Sequence, residues 1–173
     1  MLRRLCLVIS LAIIYIVASG ETGTASTVEK VDAQAYTWGP NVRGLSLSIA
    51  PESTIVHTHQ YIKLQAAIKN SGPSISIRRV GWIAEYAFTV TRRDGSIVSP
   101  NAKVDRHIWS GSVPSGFDLT SDVIYQTQLY LDSLYDLTPG TYHVIAHTSV
   151  ELKGQASMYA GLTSNEVTVI VLP

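Results

Sequence analysis

Downstream of residue 44 the chain repeats one pattern: short runs in which apolar and polar residues alternate, each closed by a turn signal. A period of two sends successive side chains to opposite faces of an extended strand. "LSLSIA" sets Leu45, Leu47 and Ile49 against Ser46 and Ser48. "YIKLQAAIKN" sets Ile62, Leu64, Ala66 and Ile68 against Tyr61, Lys63, Gln65 and Ala67, and "NSGPS" ends it. In "WIAEYAFTVTRR", Trp82, Ala84, Tyr86, Phe88 and Val90 share one parity, and Asp94-Gly95 then supplies a strong hairpin signal. "DVIYQTQLYL", "TYHVIAHTSV" and "NEVTVIVL" complete the series, with Leu129 and Leu131, then Val144 and Ala146, then Val167, Val169 and Val171 facing inward. No stretch shows a helical period, and no internal repeat is found. The pattern predicts an all-β fold, an antiparallel two-sheet sandwich of about seven to eight strands. Residues 73–82 and 101–121 read as long connections.

The N-terminus follows a different rule. "MLRR" is a basic head, and Leu5 to Val17 is an apolar run of 13 residues followed by small Ala18, Ser19 and Gly20. That order predicts a secretory signal peptide over 1–20, because a spanning helix needs about 20 apolar residues. Cleavage is expected after Ser19 or Gly20, with Ala25 as a later site. Residues 21–43, polar and without period, read as a linker with an ordered end at Tyr36 and Trp38. Residues 44–173 read as the folded domain, secreted or periplasmic.

The single cysteine, Cys6, lies inside the leader. Neither disulfides nor thiol chemistry is expected of the mature chain. The whole chain balances 13 basic against 13 acidic residues, and loss of Arg3 and Arg4 leaves a slight acidic excess. Without a Lys/Arg run, nucleic acid is not an expected partner. No membrane association is expected once the leader is removed. No Asn-x-Ser/Thr sequon is present.

"LYDLTPGTYHVIAH" raises a particular question, because a tyrosine stands just after a Pro-Gly turn. In β-sandwiches such a residue folds under the corner and bonds its hydroxyl to upstream backbone. With "LTSNEVTVIVL" downstream, the segment resembles the last strands of immunoglobulin-like and fibronectin-III-like sandwiches, above all the small domains of exported bacterial proteins. "LSLSIAPESTIVHTHQYIKLQAAIKNSG" looks like their opening strands and "YAFTVTRRDGSIV" like their hairpin. The resemblance implies an immunoglobulin-like sandwich over 44–173. A related sandwich occurs in the proteinase inhibitors of bacilli, but no inhibitory motif is present to carry over.

Chemistry is thinly represented. A nucleophile elbow is absent, as are phosphate-binding glycine loops and calcium loops. An enzyme is not expected, and no cofactor is implied. His57 and His59 point one way in an extended backbone, as do His143 and His147 on another strand. These pairs are candidate Zn or Cu ligands only if they converge; otherwise they are surface. Trp109, Phe117 and Arg106 lie in the 101–121 connection, and long loops in compact domains often carry function. Their aromatic rings either anchor a partner or close one end of the sandwich. Tyr61, Ile124, Tyr130 and Ile145 are expected to face outward, forming a second patch or a surface covered by the N-terminal linker. Taken together the residues predict an exported, non-enzymatic binding module whose partner is a protein or cell-envelope component. The alternatives are a proteinase inhibitor, a carbohydrate-binding module and a metal chaperone or sensor. The oligomeric state is left open.

Overall fold

The computed structural model describes residues 28–29, 36–80, 86–101, 117–121, 123–152 and 159–173. Among these residues the secondary structure is entirely β, in ten strands: β1 (Val28–Glu29), β2 (Leu45–Pro51), β3 (Ile55–His57), β4 (Lys63–Asn70), β5 (Ile75–Val80), β6 (Ala87–Arg92), β7 (Phe117–Leu119), β8 (Ile124–Tyr130), β9 (Gly140–Leu152) and β10 (Tyr159–Leu172). One sheet has the order β1-β8-β4-β2. The other runs β3-β10-β9-β5-β7, with β6 also paired to β9. The fold is the expected two-sheet sandwich.

The inward parity of each strand builds one core. Leu45, Leu47, Ile49, Leu64 and Ile68 from the four-stranded sheet meet Val90, Val144, Ala146, Leu162 and Val169 from the other. Burying each large aliphatic side chain contributes about 1.5–3 kcal/mol. A chain expected to form no disulfides depends on that burial.

Tyr142 does what its position after the turn suggested. Its ring is buried, and its Oη donates to the Thr138 carbonyl at 2.6 Å. Apolar body and polar tip are thus both satisfied. The Asp94-Gly95 hairpin also forms. Gly95 takes a left-handed φ of 83°, and the Arg92 N–H donates to the Ser96 carbonyl at 2.8 Å. Hydrogen bonds from Ser96 to its carboxylate are the main cause that holds Asp94 below the ordinary carboxyl range.

Three details depart from the sequence expectation. The supposed connections contain strands: β5 lies within 73–82 and β7 within 101–121, paired through Ile75–Leu119 and Ile77–Phe117. One pair is parallel rather than antiparallel, since β3 runs alongside the end of β10. Ser46 and Ser48 were placed on a face opposite the core, yet both are buried. The cause is a segment folded over them, described below.

Two sheet edges are closed by the chain itself. Thr54 and Thr58 bond to β10, so Ile55 and His57 turn their backbone groups outward. Ser53 Oγ donates to the Ile55 carbonyl and accepts from its N–H. Gln60 serves His57 in the same way, through its side-chain carbonyl and its own N–H. At β2 a tight turn at Arg43-Gly44, both with positive φ, pairs Val42 with Leu45. The Gly39 N–H then donates to the Leu47 carbonyl at 2.9 Å. Asn165 completes that edge, accepting from the Ile49 N–H at 2.9 Å and donating to its carbonyl at 3.0 Å. Asn165 sits at a bulge in β10, so its amide joins the two sheets.

Candidate binding face

The outward face of the four-stranded sheet is built in rows by the strand registers. Ser46, Lys69 and Ile124 form one row, Ser48, Ala67 and Gln126 the next, then Ala50, Gln65 and Gln128, and finally Lys63 with Tyr130. Small residues on β2 and in the middle of β4 keep part of this face low. Tyr36 and Trp38 lie over its first half. Their rings stand 5.1 Å apart, Gln126 Nε2 donates to Tyr36 Oη at 2.9 Å, and Lys69 Nζ sits 4.4 Å from the centre of the Trp38 ring. That last contact is a cation–π pair. This cover explains why Ser48 and Ile124 are only 1% and 4% exposed. Ile124 thus lies on the outward face, and of the two expectations for it, patch or surface covered by the N-terminal segment, the second is the one observed.

Among the described residues no segment lies over the second half, whose side chains are half-buried to exposed. Gln65 Nε2 donates to Gln126 Oε1 at 3.2 Å, and Tyr130 Oη donates to Gln128 Oε1 at 3.2 Å. Tyr61 stands edge-on to Tyr130, ring centres 6.1 Å apart, and is 72% exposed. An open depression of about 550 Å³ continues beyond Tyr61, lined by Glu52, Ile55, Gln60 and Lys63 among others. Lys63 pairs with Glu52 at 3.5 Å. The result is a row of uncharged amides and phenols on a rigid sheet, with the Tyr36–Trp38 segment as a wall at one end and Tyr61 at the other.

The residues favoured from sequence fare differently. Arg106 and Trp109 lie outside the described residues, as does Trp82. The Phe117 backbone belongs to β7, paired with Ile77. Tyr61 and Tyr130 do share the outer face, while Ile145 is half-buried in the other sheet. The amide row of Gln65, Gln126 and Gln128 was not singled out. Its signal was the alternate polar positions of "YQTQLY", which any half-buried strand shows.

Neither histidine pair is aimed at a common point by an extended strand in the way its spacing suggested. His57 ends β3, and His59 lies in the following turn with a φ of 70°, so no common extended backbone aims both rings. His143 and His147 share a face but stand about 13 Å apart along the strand. His147 bridges Thr89 and Thr163 at 3.0 and 3.2 Å, and His143 Nδ1 lies 3.1 Å from Glu166. Among the described residues no three His, Cys, Asp or Glu side chains gather around a common point. A second depression, about 410 Å³, is bordered by His57, His59, Asp132 and Asp136. Its polar groups serve the fold: Asp132 accepts from the Ile62 N–H and Asp136 from Asn101.

No protein-family model matches the chain, and no curated protein matches it in sequence. Solved structures match by shape. The C-terminal domain of Wzt aligns at 12% identity and a TM-score of 0.45, covering 85% of this chain and 87% of that one. Spo0M, a sporulation control protein of Bacillus subtilis, aligns at 11% identity and 0.41, over 76% of this chain. The aligned part is 51% of Spo0M, so the chain spans about half that protein's length. The structural genomics target SoR45 aligns at 12% identity and 0.39, covering 73% and 86% of the two chains.

Proposed function

We propose that the protein is an exported, non-enzymatic binding module of immunoglobulin-like build, acting on a cell-envelope component through the open half of the four-stranded sheet. One observation carries this reading: uncharged donors, acceptors and an exposed ring stand together on a rigid sheet between two walls. Sites on regular elements hold geometry better than sites on loops. The basic leader and apolar run support export.

The test is retention of the exported full chain on isolated envelope material. A Gln128→Ala, Tyr61→Ala double variant is expected to lose retention while keeping its melting temperature within a few degrees. A Trp109→Ala variant is expected to bind as the parent does. Loss of retention only in the Trp109 variant would move the site to the 101–121 connection and overturn this assignment.

A further inference from the structure

We infer that the ligand of this face is a neutral glycan chain; the inference rests on the binding-module reading above. Charge decides first. The two lysines of the face are both engaged, Lys63 with Glu52 and Lys69 with the Trp38 ring. An anionic polymer draws its affinity from a cluster of cations, and among the described residues this face offers only two separated lysines, one of them paired with a carboxylate. The remaining side chains are amides and phenols, each able to donate and accept. Sugar hydroxyls present the same dual character. Gln128 Oε1 is held by Tyr130, so its Nε2 is the donor offered to a ligand.

Shape decides next. Tyr61 is held edge-on to Tyr130 and offers its ring to solvent, where the apolar C–H face of a sugar can stack. The rings stand at 81° to each other rather than coplanar, which suits a single twisted chain and not the flat face of a crystalline polysaccharide. From Tyr130 to Gln128 the strand covers about 7 Å, and Tyr61 with the depression beyond it lengthens the path to the span of a short oligosaccharide. A stable protein partner would need about 800 Å² per side with an apolar centre, and this narrow amide row does not supply one.

The experiment is affinity electrophoresis of the exported full chain through gels containing a soluble neutral glucan, a galactomannan or a polyuronate. It is paired with retention on envelope material treated with periodate or with protease. Retardation by a neutral polymer is expected, with retention lost after periodate and kept after protease. Tyr61→Ala and Gln128→Ala are each expected to weaken binding about tenfold. Ile97→Ala, an equally exposed site on the opposite sheet's hairpin, is expected to change nothing. Retention that survives periodate but not protease would overturn the glycan while leaving a binding module in place. Retardation by the polyuronate alone would also overturn it. Absence of retention on any envelope material would overturn both readings.

Discussion

Tyr86 is buried beside the core, and among the described residues its hydroxyl has no hydrogen-bond partner. Burial first, and the neighbouring Tyr125 second, hold its phenol well above the ordinary 10.0. A group that keeps its proton in the folded state but releases it near 10 when unfolded leaves the balance untouched below that value and favours the unfolded chain above it. Stability therefore falls as pH climbs through and beyond about 10. Tyr86→Phe is expected to match or exceed the parent in stability at pH 7, because an unpaired buried hydroxyl gives nothing back. It is also expected to flatten the decline above pH 10 seen in denaturant titrations of the parent. A clear loss at pH 7 would show that the hydroxyl has a partner. Tyr142 is the contrasting case, with its hydroxyl bonded to Thr138. Its role could be read from the preceding Pro139-Gly140, since the cue and its consequence lie four residues apart. Nothing local distinguishes Tyr86, whose surroundings come from other strands.

At the scale of the element, alternation revealed the long strands and missed the short ones. β3 and β7 have three residues each, too few to show a period of two. β5 begins two apolar residues, Ile75 and Ile77, and then reaches Arg78 and Arg79, which masks the pattern. The Arg43-Gly44 turn was hidden because arginine occupies a left-handed position that Asn or Gly usually fills. The candidate face was illegible for a related reason. Its glutamines look like ordinary solvent-side residues until the Tyr36–Trp38 segment covers half of the sheet. That segment depends on Gly39, where a Cβ would stand 2.0 Å from the Thr163 carbonyl oxygen. Gly39→Ala is therefore expected to cost about 1–3 kcal/mol. Faster hydrogen exchange at the Val42 and Leu45 amides would place the damage in this segment, whereas unchanged exchange and stability would contradict the close approach.

For the molecule as a whole, the association of the two sheets is shared between apolar contact and one polar clamp. Asn165 leaves the β10 ladder at its bulge and takes the place of a strand beside Ile49. Removing the amide strands both backbone groups of Ile49 in a part-buried site, and each unsatisfied group costs about 1–3 kcal/mol. Asn165→Ala is expected to lower stability by about 2–4 kcal/mol in denaturant titration. A change below about 0.5 kcal/mol would mean that solvent replaces the clamp without loss. An asparagine at such a position gives no sequence cue, because its partner lies more than a hundred residues away.

The self-closed margins of β2 and β3 have a consequence for life at high concentration. A fibril grows when one backbone is laid against another and the new margin is as receptive as the last. Here Ser53, Gln60 and Asn165 occupy the sites where a second copy would have to bond. These two margins give no template for growth, and crowding alone does not turn copies of the chain into a lattice along them.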